Sequence, residues 1–195
     1  MRVLLFSGHR IDLPDRPAPR FPASRVAAAR RAIESALNRI VVAPGDRAIT
    51  SGANGGDLLF AADCLRREAA LELWLPFVPE RFIETSVLPG GRAWVAAFDK
   101  VLAHPRTTLQ VLPAAEGGRT DADAYARCNE AMLQRALALA SGPLEFVCLW
   151  DGGAGDGPGG TGHLVQRVRA HHGHVHWVDT RTLADSGQQP LARQV

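Results

Sequence analysis

Three runs of this chain set glycines, hydroxyls and acids where an apolar segment gives way to a helical pattern. Thr50-Ser51-Gly52-Ala53-Asn54-Gly55-Gly56-Asp57 separates Arg47-Ala48-Ile49-Thr50, which reads as a short buried strand, from Leu58-Leu59-Phe60-Ala61-Ala62-Asp63-Cys64-Leu65, whose apolar residues recur at helical spacing. Ser7-Gly8-His9-Arg10 ends the apolar run Arg2-Val3-Leu4-Leu5-Phe6, and residues 151 to 162 hold seven glycines in twelve positions ahead of another helical stretch. Glycine permits positive φ and lets a ligand approach without meeting a Cβ. The first unpaired N–H groups of a helix, with its dipole, attract an anion. The chemistry this composition suits is phosphate binding, by Ser7, Gly8 and His9, by Ser51, Gly52, Asn54, Gly55, Gly56 and Asp57, and by Gly159, Gly160, Thr161 and Gly162. One such turn alone is equally well explained by tight packing of a helix on a sheet. Three of them, each after a strand, form a more specific signal.

Other side chains carry two readings each. Asp57 suits a ribose, or a metal beside phosphate, and equally suits the helix dipole. Asp151 and Asp156 flank the third turn as ribose or base ligands, or as Asx turns. Arg127 and Arg106 are candidate phosphate clamps, because a guanidinium matches phosphate bidentately. Arg106 is placed at the wrong end of its strand for that task. His9 and His163 stand on glycine turns as proton donors or phosphate partners. Trp94 and Trp150 could stack on a base but read as core. His171, His172, His174 and His176 lack a completing cysteine or carboxylate and lie opposite the glycine turns, so no metal site is expected.

The elements that must position these groups follow from periodicity. Strands are expected at residues 2–6, 47–50, 71–76, 107–113, 144–150 and 174–178, with helices at 23–39, 57–68, 79–84, 92–103, 123–140 and from about 164. Prolines at 14, 17, 19 and 22 exclude a helix or central strand from the stretch after the first turn. That stretch reads as a wall or lid over a site, or as a surface excursion. Alternating strands and helices argue for an α/β fold: a single Rossmann-like domain over residues 1–180 with a mostly parallel six-stranded sheet and helices on both faces. Ligands bind such sheets outside the strand carboxyl ends, where strand order reverses. Residues 181–195 read as a polar, poorly ordered tail.

The 195 residues suit one domain, and 22 basic and 20 acidic residues give a formal charge of +2 with both signs well mixed. That mixture gives no support to a nucleic-acid partner or an anionic membrane surface. Cys64, Cys128 and Cys148 lie in apolar runs without metal spacing, as buried hydrophobes of a reducing compartment do. No apolar stretch reaches the roughly 20 residues a membrane span needs, and the N-terminal run is unlike a signal peptide. A cytoplasmic protein is the expectation.

With Ser7-Gly8-His9, Ser51-Gly52-Ala53-Asn54-Gly55-Gly56-Asp57 and Gly157-Pro158-Gly159-Gly160-Thr161-Gly162 in view, the chain resembles the SLOG superfamily over roughly residues 1 to 179. These are Rossmann-like nucleotide-binding proteins related to the lonely-guy phosphoribohydrolases and to DNA-processing protein A. The resemblance implies a nucleotide or nucleotide derivative as ligand, of the AMP, ADP-ribose or NAD kind, with no other cofactor indicated. It also implies a homodimer. Arg127-Cys128-Asn129 looks like an arginine and asparagine that face the cleft in related subfamilies. The lonely-guy signature is Pro-Gly-Gly-x-Gly-Thr, then two residues and a catalytic glutamate; here His163 replaces the threonine and Gln166 the glutamate. Glutamine cannot act as a general base or stabilise an oxocarbenium ion as a carboxylate does. Recognition of a nucleotide is therefore the leading expectation. Cleavage of a nucleotide's N-glycosidic bond, with Asp57 or Glu130 as the carboxylate, is the alternative.

Overall fold

A computed structural model describes residues 1–113, 120–153 and 160–186. Six strands, β1 (Val3–Gly8), β2 (Arg47–Thr50), β3 (Ala70–Leu75), β4 (Thr107–Val111), β5 (Glu145–Trp150) and β6 (His174–Asp179), form one sheet in the order β4-β3-β2-β1-β5-β6. Every neighbouring pair is parallel. The helices are α1 (Val26–Ile40), α2 (Gly56–Arg66), α3 (Pro79–Phe82), α4 (Arg92–Leu102), α5 (Asp121–Leu139) and α6 (Thr161–Ala170).

A strand with a helix layer on either side must be apolar throughout, and Val3, Leu4, Leu5 and Phe6 of β1 are all buried. On one face Leu4, Phe6, Ala48, Leu71 and Leu73 meet the buried stripes of α1, α2 and α4. On the other, Val3, Leu5, Ile49, Phe146 and Cys148 meet α5 and α6. The chain runs outward from β1 to β4 beneath the first layer, then returns through α5 to β5 beneath the second. Strand order therefore reverses between β1 and β5, which is where a doubly wound sheet opens a crevice.

Three local readings change. Helix α5 starts at Asp121 rather than Asp123, because Thr120 and Asp123 form a reciprocal capping box. The short helix after Pro79 runs on into a π-helical turn, Ile83–Val87. Residues 181–186 do not trail away: Asp185 pairs with Arg25 at 3.2 Å, and Ser186 N donates to Ser24 O at 2.8 Å, fastening the segment to the start of α1. Residues 187–195 lie outside the described residues. Among the described residues, no helix is long and apolar enough to cross a membrane. The three cysteines are free and buried, and burial pushes the Cys128 and Cys148 thiols up to about 12.

Glu72 shows how full coverage changes a strand. The alternation in Leu71-Glu72-Leu73-Trp74-Leu75 suits a half-exposed strand, yet Glu72 is buried. Its carboxylate accepts from Arg47 of β2 (2.7 Å), Arg135 of α5 (2.9 and 3.0 Å) and the Trp74 indole (3.2 Å). Burial acts to raise its pKa, but these donors outweigh it and hold the group below the ordinary carboxylate range. A lowered folded-state pKa adds stability above the unfolded value that is lost as pH falls through the folded one. Glu72→Ala is expected to lower stability by about 2 kcal/mol at neutral pH, a figure reduced because both arginines keep partial contact with water. Glu72→Gln is expected to flatten the acid limb; urea unfolding at neutral pH and below pH 4 measures both.

Candidate functional site

The carboxyl ends of β1, β2 and β5 and the amino end of α6 enclose a cleft of about 510 Å³ at the switch point, a size suited to a small organic ligand. All three sequence-predicted turns reach it. Ser7, Gly8 and His9 come from the first, Ser51, Asn54 and Asp57 from the second, and Gly160 and Thr161 from the third. Gly159 lies outside the described residues, as does Asp156. The opposite wall is α5, which presents Ala122, Tyr125, Ala126, Asn129 and Met132, the spacing of one helical face.

That spacing corrects one expectation. Residues two apart on a helix point about 200° apart, so Arg127 and Asn129 cannot share the cleft. Asn129 lines it, whereas Arg127 donates to the Pro113 carbonyl at 2.9 Å. Glu130, the alternative carboxylate, is held by Arg167 at 2.9 and 3.0 Å in a bridge between α5 and α6 and is not among the lining residues. Arg106 faces Glu68 at 3.6 Å, and His163 is exposed. His174 and His176 both meet Glu145, at 3.0 and 2.6 Å. Trp150, read as core, forms cleft wall and packs on Trp177 with ring centroids 5.7 Å apart.

The second turn is built by self-contact. Gly55 has φ +88°, and a Cβ there would lie 2.9 Å from the His9 carbonyl oxygen. Gly56 N donates to that same carbonyl at 3.1 Å. The space left by Gly55 is thus filled by the first loop rather than by a ligand. Gly52, Gly56 and Gly162 likewise fit against Leu73, Phe6 and Trp150, and none of the four lines the cleft. Asn54 is a knot of backbone: its Oδ1 accepts from Ile11 N (2.9 Å) and its Nδ2 donates to Ser86 O (2.8 Å) and Val87 O (3.3 Å). Both amide hydrogens are so engaged, and the residue ties three loops together instead of offering donors to a ligand.

Asp57 remains chemically distinctive. Its Oδ2 accepts from Ser51 Oγ at 2.6 Å and Ala53 N at 3.1 Å. Burial pushes its pKa from 3.8 up to about 6, against the pull of those donors. Across the cleft, Ser7 Oγ and Thr161 Oγ1 share a hydrogen bond of 2.9 Å between β1 and α6. Gly160 precedes α6 and has no side chain to cap it.

His9 is nearly buried, and its Nε2 lies 3.1 Å from both the backbone N and Oδ1 of Asp151. The two contacts favour opposite protonation states, since the amide needs a lone pair and the carboxylate needs an N–H. Burial lowers the His9 pKa more than Asp151 raises it. Asp151 is therefore the support of His9 rather than a lining residue. Its own carboxyl is below the usual range: burial opposes this but is outweighed by the Gly153 amide at 2.9 Å, by His9 and by Arg20.

Sequence reasoning passed over two groups. Arg10, at the end of the first turn, and Arg16 and Arg20, from the proline-stiffened stretch, line the cleft, so that stretch is a wall. Asp12 closes it by accepting from the amides of Arg20 (2.7 Å) and Phe21 (2.6 Å). The available signal was three arginines within eleven residues directly after a strand end. The second group is Tyr125, whose hydroxyl meets Ser86 Oγ at 2.6 Å and Thr85 Oγ1 at 3.0 Å; nothing in the sequence pairs residues so far apart.

Fold and cleft together define a doubly wound α/β domain with an arginine-walled crevice at its switch point. Neither a protein-family model nor a curated protein matches the chain.

Proposed function

We propose that the protein binds a nucleotide or nucleotide derivative in the switch-point cleft, as a SLOG-type recognition module. The observation that carries this reading is the one cavity lined together by Ser7, Thr161, Gly160 at the start of α6 and the three arginines, with the Trp150 indole alongside. Hydroxyls, a helix start and guanidinium groups suit phosphate, and an indole offers a stacking surface for a base. A cytoplasmic setting suits such a ligand and the three buried thiols, and a homodimer follows from the same resemblance; light scattering tests the latter.

A thermal-shift panel of AMP, ADP-ribose, NAD and cyclic nucleotides tests the reading. A ligand at 100 times its Kd stabilises the fold by about 2.7 kcal/mol. Ser7→Ala is expected to weaken any hit, because it removes a cleft hydroxyl without touching the glycine packing. No shift with any nucleotide overturns the proposal. Asp57 favours a second reading, since a cleft carboxyl titrating near 6 is suited to acid–base work. There, water adds to the anomeric carbon as the glycosidic C–N bond breaks; its proton goes to the departing base of a nucleoside monophosphate, or, for NAD, whose nicotinamide leaves neutral, to Asp57. Release of free base from nucleoside monophosphates or NAD, lost in Asp57→Asn, would establish it.

A further inference from the structure

The loop after β1 concentrates positive charge on one side of the cleft. Arg10, Arg16 and Arg20 line the cavity, and among the described residues two carboxyls, Asp12 and Asp57, line it as well. Asp12 is engaged by the amides of Arg20 and Phe21 and lies 3.4 Å from Arg16 Nε. Asp57 is engaged by Ser51 and Ala53 and also feels the charge of Arg10. The arginines are also held in place: Arg10 Nη1 donates to the Thr85 carbonyl at 2.9 Å, and Arg16 Nε donates to the Ala18 carbonyl at 3.1 Å. An arginine has five N–H donors, and a guanidinium fixed through one of them is oriented for an anion at the others. The loop's two ends are joined by Asp12 N to Phe21 O at 3.0 Å, with Phe21 fully buried. The wall is thus a closed, anchored element rather than a loose excursion.

From these positions we infer that the cleft selects a ligand with at least two consecutive phosphoryl groups, a nucleoside diphosphate or its derivative, clamped by Arg10 and by Arg16, the latter on a loop that Asp12 holds in shape. This rests on the nucleotide reading above and adds the class of ligand. The hydroxyls of Ser7 and Thr161 suit one phosphoryl group, and the arginines on the same cavity suit a second. Asp12 acts through the loop backbone and is a positioning residue.

Calorimetric titration of the full chain with a nucleoside, its mono-, di- and triphosphates and inorganic pyrophosphate tests the clamp at low and high salt. Affinity is expected to rise about tenfold or more from monophosphate to diphosphate, the worth of one charge-assisted contact, and to lose that step at high salt. Arg16→Gln is expected to lower the diphosphate-to-monophosphate ratio about tenfold, while Arg106→Gln, at the amino end of β4 beside Glu68, leaves it unchanged. Arg10→Gln also removes the Thr85 contact, so its melting temperature is measured with it. Asp12→Ala is expected to lower the ratio as well, with rescue by Asp12→Asn only in part, because one amide oxygen replaces a carboxylate. Equal affinity for mono- and diphosphate, or an unchanged ratio in Arg16→Gln, overturns the clamp and leaves the nucleotide reading standing. Binding of pyrophosphate but of no nucleotide keeps the clamp and overturns the nucleotide reading. Failure of every probe overturns both.

Discussion

Gly55→Val is expected to lower the stability of this fold by about 4 kcal/mol and to dismantle the cleft. The backbone at Gly55 has φ +88°, and its Cβ would meet the His9 carbonyl oxygen at 2.9 Å and the Ile11 nitrogen at 3.0 Å. Those are backbone atoms and cannot swing aside as a side-chain tip does. With ψ −126° the residue lies outside the left-handed helical well, a backbone state that costs an L-residue on the order of 1–3 kcal/mol, and forced overpacking adds about 1–3 kcal/mol. Relief requires moving the first loop, which would break the Gly56-to-His9 hydrogen bond and the Asn54 contact to Ile11. Gly45, at φ +90° with nothing within 4 Å, separates the two terms: Gly45→Val should show only the conformational cost. Urea unfolding at constant m-value measures both. A loss at Gly55 no larger than that at Gly45 would mean that the turn yields, and the close approach would not be what demands glycine.

The second large effect is a gain. Asp57 carries a pKa raised by burial from 3.8 to about 6 in the folded chain. A raised folded-state pKa contributes stability that is fully present below the unfolded value and is lost as pH climbs through the folded one. The shift corresponds to roughly 3 kcal/mol between about pH 4 and pH 7. Asp57→Asn abolishes that dependence, so its stability relative to the wild type should improve by about 3 kcal/mol over the same interval. Its amide oxygen can still accept from Ser51 or Ala53. Parallel melting curves at pH 4 and pH 7.5 read the difference directly, and curves that stay parallel would show that Asp57 is solvated or paired at neutral pH. A carboxylate retained at such expense in a cleft points to use. Loss of ligand binding or of base release in the stabilised variant would be the functional counterpart.

Much of the architecture was legible because its causes are local. The near-continuous apolar runs of β1 and β5 mark strands covered on both faces, and the 3.6-residue spacing in α1 and α4 marks one-sided helices, whatever the rest of the chain does. The capping box at Thr120 was also written in neighbouring residues, yet the apolar pattern starts later than the cap and hid the first turn of α5. Arg127 could have been excluded from the site by helical geometry alone once Asn129 was placed there.

The sequence by itself determined the alternation of strands and helices, the parallel sheet, and the arrival of three glycine turns at one edge. Those follow from periodicity and from the rule that connections in such sheets return to the same side. Only the tertiary structure decided what each turn residue does there. Gly55 could leave room for a ligand or for another loop, and the His9 carbonyl takes the room. Asn54 could offer its amide to a ligand, and the backbone of three loops claims it. Glu72 could face water, and α5 covers it with Arg135. The arginines after the first strand could point anywhere; Asp12 closes the loop that carries Arg16 and Arg20, and the Thr85 carbonyl holds Arg10. Each outcome depends on contacts between segments far apart in the chain, where a polar group's partner is set by packing and by the need to satisfy buried donors and acceptors.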